Sequence, residues 1–184
     1  MAFQFRPLEI PDVVEVIPQV FGDERGGFAE MYKEKDFVEA GIEVQFVQFN
    51  YSRSSRNVLR GLHYQLNPKA QGKLLTAISG EVFDVAVDIR KGSPTFGRWV
   101  SLQLSSAKKN LVYVPEGFAH GFCVTSETAE VMYYVTDVYS PERERGIIWN
   151  DPALGIPWPT STPVLSGKDQ VYPGLASAES NFTV

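Results

Sequence analysis

The amino-acid sequence predicts an all-β fold, a sandwich or barrel of short strands. Apolar and polar residues alternate with a period of two in several segments, as they do in half-buried strands. Turn signals rich in glycine, proline and serine separate these segments at short intervals. Only residues 33–40 have the character of a helix, of one or two turns, and Gly41 would end it.

The segment before this helix is expected to hold short strands and turns. Residues 1–20 contain three prolines, which favour edge strands and turns over helix. Residues 21–28 are expected to form a turn-rich loop that carries Arg25. Glu30 follows in a short strand predicted over residues 28–32.

The core strands are predicted from residue 42 onward. Alternation is clear in four segments: 42–50, 83–89, 100–104 and 131–136. From residue 151 the chain is rich in proline, serine and glycine, so loops with one or two short helices are expected there. The 184 residues are therefore expected to form one domain. Its core would span about 42–150, with an N-terminal arm and a C-terminal segment packed on it.

Composition argues against several classes of function. The formal net charge is −5 and no basic face appears, which disfavours a general nucleic-acid binder. No apolar run approaches a membrane span, and the first residues lack the pattern of a signal peptide. The single cysteine, Cys123, cannot form an internal disulfide, so a reducing cytoplasm is the expected setting.

The most informative stretch, residues 57–73, holds Arg60, His63 and Lys73. A histidine can take a proton near neutral pH while neighbouring cations stabilise negative charge. A buried, hydrogen-bonded histidine beside two solvated cations is an equally good interpretation of these residues alone. Arg60 and His63 would point to opposite faces of a regular strand. A shared site therefore requires a bulge or bend at Gly61, or a strand that begins after Arg60.

The second histidine, His120, has the small neighbours Ala119 and Gly121, which would let a backbone or a ligand approach closely. A core position explains His120 equally well. Two isolated histidines and one cysteine cannot supply a three-nitrogen site, so no metal is expected. Cys123 lies in an apolar segment and is expected to be inert, and no nucleophile elbow or phosphate-binding loop is present. Proton transfer is the chemistry that remains.

Proton transfer requires an acid as well as a base. Tyr133 shares an apolar strand face with Val131 and Val135, and its hydroxyl could donate a proton if it points into a cavity. Ordinary aromatic packing is the commoner role for such a tyrosine. Lys73 could stabilise an enolate oxygen, although most lysines at strand ends are solvated.

Taken together, the motifs resemble the dTDP-4-dehydrorhamnose 3,5-epimerase family. The matching stretches follow one another along nearly the whole chain: 21–28, 57–65, 71–73, 81–91, 93–97, 114–122 and 146–152. The resemblance implies a double-stranded β-helix, a cupin-like jelly-roll barrel with a few short peripheral helices. It also implies a homodimer without a metal or organic cofactor. The implied reaction inverts C3 and C5 of dTDP-4-dehydro-6-deoxy-D-glucose to give dTDP-4-dehydro-L-rhamnose, in dTDP-L-rhamnose biosynthesis.

The resemblance also assigns roles to individual residues. His63 would be the base and Tyr133 the acid, Asp169 would orient the imidazole, and Lys73 would face the enolate oxygen. Substrate contacts are implied for ten residues: Arg25, Glu30, Gln48, Phe49, Asn50, Arg60, Lys73, His120, Glu144 and Lys168. Tyr139 is either a stacking partner for thymine or a packing residue. Because N-terminal strands exchange across the dimer in this family, Arg25 and Glu30 are candidates for the neighbour's pocket.

Two other functions stay open at this point. One is a single-site epimerase that inverts only C3 or C5 of a related dTDP-4-keto-6-deoxysugar. The other is a non-catalytic barrel that only binds a nucleotide sugar. The three hypotheses differ in whether solvent hydrogen enters both carbons, one carbon or neither.

Overall fold

The computed structural model describes residues 2–184, and these residues are almost entirely strands and loops. Within residues 2–184 there is one α-helix, α1, which spans Glu34–Glu39, and a single 3-10 turn, which spans Leu175–Ser177. The strands are β1 Phe3–Pro7, β2 Val14–Pro18, β3 Val20–Asp23, β4 Gly26–Ala29, β5 Gln48–Ser55, β6 Leu59–Gln65, β7 Lys73–Ser79, β8 Glu81–Asp88, β9 Trp99–Ser105, β10 Leu111–Val114, β11 Phe118–Val124, β12 Thr128–Val135 and β13 Glu144–Gly146.

The strands form two antiparallel sheets and a separate hairpin. One sheet has six strands in the order β1-β2-β10-β7-β12-β5, and the other has five in the order β13-β6-β11-β8-β9. In the described part of the chain, strands β3 and β4 pair only with each other. Every described strand pair is antiparallel, which agrees with the all-β sandwich or barrel predicted from the alternating segments.

The main hydrophobic core lies between the two sheets. The six-stranded sheet contributes Val112 and Val131, and the five-stranded sheet contributes Val82, Leu104 and Phe122. All five side chains are buried. Removal of this apolar surface from water is the main driving force that holds the sheets together. The core therefore fixes the two walls between which a cavity can form.

Two predicted strands differ from the observed ones. The alternation over 42–50 predicts a strand from Ile42, but ladder pairing begins only at Gln48. Residues 42–46 instead place alternate side chains against α1 and the outer face of the six-stranded sheet. The predicted strand over 28–32 is also wrong in its bounds, because β4 ends at Ala29 and Glu30 follows it. The side chains of an extended segment packed on a sheet alternate between buried and exposed, as those of a strand do. A period of two in the sequence therefore does not distinguish such a segment from a paired strand.

A β-bulge at Gly61 brings Arg60 and His63 to the same side of β6. His63 pairs with His120 on β11, whereas Arg60 pairs with Phe122, so β6 carries one extra residue over this interval. Gly61 has a φ of 126°, a conformation that L side chains rarely adopt. Of the alternatives that the sequence left open for a shared Arg60 and His63 site, the structure has the bulge at Gly61, since β6 already begins at Leu59.

Gly61→Ala should destabilise the fold. The added Cβ would lie 2.5 Å from the Cα of Gly121 and 2.7 Å from the carbonyl oxygen of His120, in addition to the positive φ. We expect a loss of about 3 kcal/mol or more in the free energy of unfolding, measured by urea titration. Gly22→Ala is the matched control, since its Cβ would meet nothing closer than 3.7 Å and should change stability by less than about 0.5 kcal/mol. Equal effects of the two substitutions would contradict the steric argument.

Candidate active site

A cavity of about 580 Å³ lies between the sheets and is lined by side chains from both. Eleven of the residues singled out in the sequence line it: Gln48, Asn50, Arg60, His63, Lys73, His120, Tyr133, Tyr139, Glu144, Lys168 and Asp169. Three others, Arg25, Glu30 and Phe49, do not. Residues that are up to 121 positions apart in the chain therefore meet at one place.

His63 is held at the cavity wall by a buried carboxylate. Its Nε2 lies 2.5 Å from Oδ1 of Asp169, and Ser166 donates a hydrogen bond of 2.7 Å to the other oxygen. Burial is the largest single influence on Asp169 and opposes its charge, but the interaction with His63, the hydrogen bond from Ser166 and the charge of Lys168 together lower the pKa of the carboxyl group. An ionised carboxylate in this position fixes the ring orientation and stabilises an imidazolium. Tyr172 packs edge-on against the same ring, with 5.7 Å between centroids.

Lys73 places an ammonium group inside the protein. The residue is only 8% exposed, and its Nζ donates a 3.2 Å hydrogen bond to the backbone oxygen of His63. Burial lowers the pKa of Lys73 to about 8, and the carboxylates of Asp84 and Glu144 act in the opposite direction. A cation that is poorly hydrated interacts strongly with any negative charge that develops in the cavity.

His120 also has a carboxylate partner, which no pattern in the sequence indicated. Its Nε2 lies 2.8 Å from Oδ2 of Asp84, and both residues are buried. Burial lowers the pKa of His120. The alternating pattern of β8 did not predict that Asp84 is buried. Such a pattern indicates one buried face, whereas both faces of this strand are covered. The position directly opposite His63 in the ladder is His120, so the two imidazoles stand side by side on one sheet face.

The two adjacent tyrosines of β12 point to opposite sides of the six-stranded sheet. Tyr133 lines the cavity, and burial raises the pKa of its hydroxyl. Tyr134 lies on the outer face, where its ring stacks on Phe49 with centroids 4.4 Å apart and also contacts Phe46. This stacking explains why Phe49, a predicted substrate contact, is absent from the cavity wall.

The part of the cavity wall formed by β13 and by the segments that follow β12 and β13 is a polar network around Glu144. One carboxylate oxygen accepts a hydrogen bond from the hydroxyl of Tyr139 at 2.9 Å, and the other lies 2.5 Å from Nζ of Lys168. Burial is the largest single influence on Glu144 and disfavours its charge, but these two hydrogen bonds together with the nearby positive charge of Lys168 lower its pKa. The backbone N–H of Tyr139 donates to the side chain of Gln48. Tyr139 is 50% exposed, so its ring is available to a planar ligand.

The two arginines predicted to bind substrate lie in different environments. Arg60 lines the cavity and donates two hydrogen bonds of 3.1 Å to the hydroxyl of Ser54. Arg25 lies in the β3–β4 hairpin, where its 85% exposed side chain pairs with Asp23. Arg60 is therefore placed to bind an anionic ligand in the cavity of its own chain, whereas Arg25 is not.

Neither a metal cluster nor a membrane helix is found in the described part of the chain. Within residues 2–184, no group of three or more histidine, cysteine, aspartate or glutamate side chains could hold a metal ion. No helix over the same residues is both long and apolar enough to cross a membrane.

Comparison with known proteins gives a match over most of the chain. The family described as dTDP-4-dehydrorhamnose 3,5-epimerase matches residues 7–177. A dTDP-4-dehydrorhamnose 3,5-epimerase from Shigella flexneri is 58% identical over 162 residues, which cover 88% of this chain and 90% of the relative. The chain belongs to the dTDP-4-dehydrorhamnose 3,5-epimerase family. The resemblance inferred from the sequence motifs is thereby confirmed. The prediction that the chain is an isomerase of the epimerase type is confirmed as well.

Solved structures of this epimerase family share the fold. The crystal structure of a dTDP-6-deoxy-D-glucose-3,5-epimerase from Legionella pneumophila, in complex with dTDP-4-keto-L-rhamnose, has a TM-score of 0.92 and 47% identity. The match covers 95% of this chain and 94% of that one. A double mutant of a 3'-monoepimerase from Streptomyces bikiniensis, in complex with dTDP, has a TM-score of 0.89 and 34% identity, with 94% and 87% covered. The predicted cupin-like β fold is confirmed.

Lys73→Met should stabilise this epimerase-family chain near neutral pH. The pKa of Lys73 is lower in the fold, at about 8, than in the unfolded chain, so the charged lysine disfavours folding below pH 8. Replacement by an apolar side chain of similar length should add on the order of 3 kcal/mol to the free energy of unfolding at pH 7. The advantage should shrink between about pH 8 and 10.5, since deprotonation of Lys73 then stabilises the wild type. Urea titrations at pH 7 and pH 10 measure both effects, and a pH-independent difference would contradict the buried charge.

Proposed function

We propose that this chain converts dTDP-4-dehydro-6-deoxy-D-glucose to dTDP-4-dehydro-L-rhamnose by inversion at C3 and C5. One observation carries the proposal: His63 of β6 and Tyr133 of β12 line the same cavity from opposing sheets. A base and an acid on opposite walls can act on the two faces of one sugar ring. The buried ammonium of Lys73 lies in the same cavity, where an enolate oxygen would need it.

Each inversion has two proton transfers. His63 removes the proton from a carbon beside the C4 ketone, and the electron pair of that C–H bond moves onto the ketone oxygen as an enolate. Lys73 stabilises the oxygen while Asp169 stabilises the imidazolium. Tyr133 then returns a proton to the carbon from the other face. The high pKa that burial gives Tyr133 keeps its hydroxyl protonated, as an acid requires.

The spacing of base and acid gives additional support. In the 3'-monoepimerase from Streptomyces bikiniensis, the double mutant replaces a histidine by asparagine and a tyrosine by phenylalanine. Those two positions are separated by the same number of residues as His63 and Tyr133. The similarity to a single-site enzyme also makes inversion at only one carbon the second candidate function.

We assign the remaining substrate contacts by chemistry. Arg60 suits a diphosphate, because a guanidinium matches phosphate oxygens bidentately. The half-exposed ring of Tyr139 suits thymine, and the polar groups of Gln48, Asn50 and His120 suit sugar hydroxyls. Glu144 and Lys168 form a charged pair in the same part of the wall as Tyr139.

A homodimer explains the residues that stay outside the cavity. Phe21 and Phe28 face each other across the β3–β4 hairpin and are 53% and 66% exposed, which is unusual for such large apolar rings. Docking of this hairpin on a second copy would cover the rings and carry Arg25 and Glu30 to the neighbour's cavity. We further propose that residues 1–184 act as one domain, because the C-terminal segment supplies Asp169 to a wall built by β6. The buried free thiol of Cys123 fits a cytoplasmic setting.

Incubation with the substrate in deuterated water tests the reaction. We expect deuterium at both C3 and C5 of the sugar, since each carbon is deprotonated and reprotonated. Nuclear magnetic resonance locates the label and mass spectrometry counts it. Label at one carbon would support the single-site epimerase, and binding without any label would support the non-catalytic barrel.

Substitution of the two proton carriers tests their roles. His63→Asn should lower kcat by at least about 10²-fold with a modest change in KM. Tyr133→Phe should lose inversion by a similar factor but still exchange hydrogen with solvent on the face of His63. Tyr134→Phe is the matched control on the outer face of the same strand, and its kcat should stay within about twofold of wild type. If Tyr133→Phe inverted the sugar at the wild-type rate, Tyr134 or water would be the donor.

A further inference from the structure

Asp84 is a buried carboxylate behind the cavity, and one of its oxygens has no hydrogen-bond partner among residues 2–184. Its side chain is fully buried in the middle of β8. Oδ2 accepts the hydrogen bond from His120, whereas Oδ1 is buried and unpaired. A buried carboxylate oxygen that has lost its water is costly unless positive charge lies nearby. The unpaired oxygen therefore points to an electrostatic role rather than to packing.

Lys73 is the buried cation that can offset this charge. It lies on β7 of the opposing sheet and lines the cavity beside His120. Asp84 and Glu144 are the two carboxylates that raise the pKa of Lys73 against the effect of burial. Glu144 already makes hydrogen bonds to Lys168 and Tyr139, so Asp84 is the less committed of the two.

We propose that Asp84 is a positioning residue of the epimerase site, which orients His120 and holds the ammonium of Lys73 charged inside the cavity. Asp84 acts through these two side chains, because it does not itself line the cavity. This inference rests on the proposed function, in which Lys73 stabilises the enolate oxygen.

The orientation of His120 follows from the same contact. An ionised Asp84 can only accept, so Nε2 of His120 carries the proton that lies between them. Burial lowers the pKa of His120, which keeps the ring neutral near pH 7. Nδ1 is then an acceptor, and it can receive a hydrogen bond from a sugar hydroxyl but cannot donate one to the ketone. The ketone oxygen is thereby left to Lys73.

Other charged and titratable groups face Lys73 and His120 across the cavity. They come from β6, β12, β13 and the segments that follow β12 and β13: Arg60, His63, Tyr133, Tyr139, Glu144, Lys168 and Asp169. Glu144 would still act on Lys73 if Asp84 lost its charge. Loss of Asp84 should therefore shift the titration of Lys73 rather than abolish it.

Asp84→Asn removes the charge and preserves the shape of the side chain. In the wild type we expect kcat to fall as the pH rises through about 8, where Lys73 loses its proton. Since Asp84 raises the pKa of Lys73, its replacement should move this alkaline limb to lower pH. We also expect kcat at pH 7 to fall by at least about tenfold, with KM within about threefold, because the loss concerns the enolate more than the bound substrate.

Asp88→Asn is the matched control on the same strand. Asp88 is also fully buried, but it accepts hydrogen bonds from Arg90, Ser93 and Thr95, none of which lines the cavity. The substitution should lower the melting temperature and leave the alkaline limb in place. An alkaline limb that stays near pH 8 in Asp84→Asn, or that moves equally in both variants, would overturn the inference.

His120→Gln tests the inference independently of how well Asp84→Asn folds. The glutamine amide can still donate to Asp84, so the carboxylate stays and the alkaline limb should remain near pH 8. A limb that moved down in this variant would assign the effect to His120 instead of Asp84. Absence of any epimerisation by the wild type would refute the proposed function itself, which separates the two failures.

Discussion

The close approach of two backbones at Gly61 and Gly121 is the constraint on which the cavity depends. A Cβ on Gly121 would lie 2.8 Å from the backbone oxygen of Arg60, just as a Cβ on Gly61 would meet the backbone of β11. Neither strand leaves room for a side chain here, and the extra residue in β6 is accommodated because both positions are glycine. The bulge turns Arg60 and His63 toward the same space and sets His63 opposite His120.

The cavity gathers several buried charged and titratable groups in one place. A buried lysine stands beside two imidazoles, and each imidazole has its own buried carboxylate. Such groups cost stability, since they exchange water for a few fixed partners. The apolar core between the sheets supplies the compensating free energy. The apolar core thus stabilises the fold, and the charged groups of the cavity lie in another part of the same two sheets.

The sequence predicted the general architecture well because it depends on local pattern. Alternation identified β8, β9 and β12, and the spacing of Arg60 and His63 predicted an irregularity in or before β6, of which the bulge was one form. The partner of His120 could not be found in this way, because burial of Asp84 depends on which sheet covers β8. Segment 42–47 shows the same limit, since alternate burial arose from packing on a sheet face instead of pairing. The resemblance to a known family, not the pattern, directed attention to Asp169.

The position of Asp169 in the chain has a consequence for how the protein matures. Asp169 follows every strand of both sheets in the sequence, and Ser166 supports it from the same loop. The sheets can therefore assemble while the imidazole of His63 still lacks its carboxylate. Docking of the late segment would then be a separate event, and spectroscopic signs of folded strands would precede the appearance of a competent base.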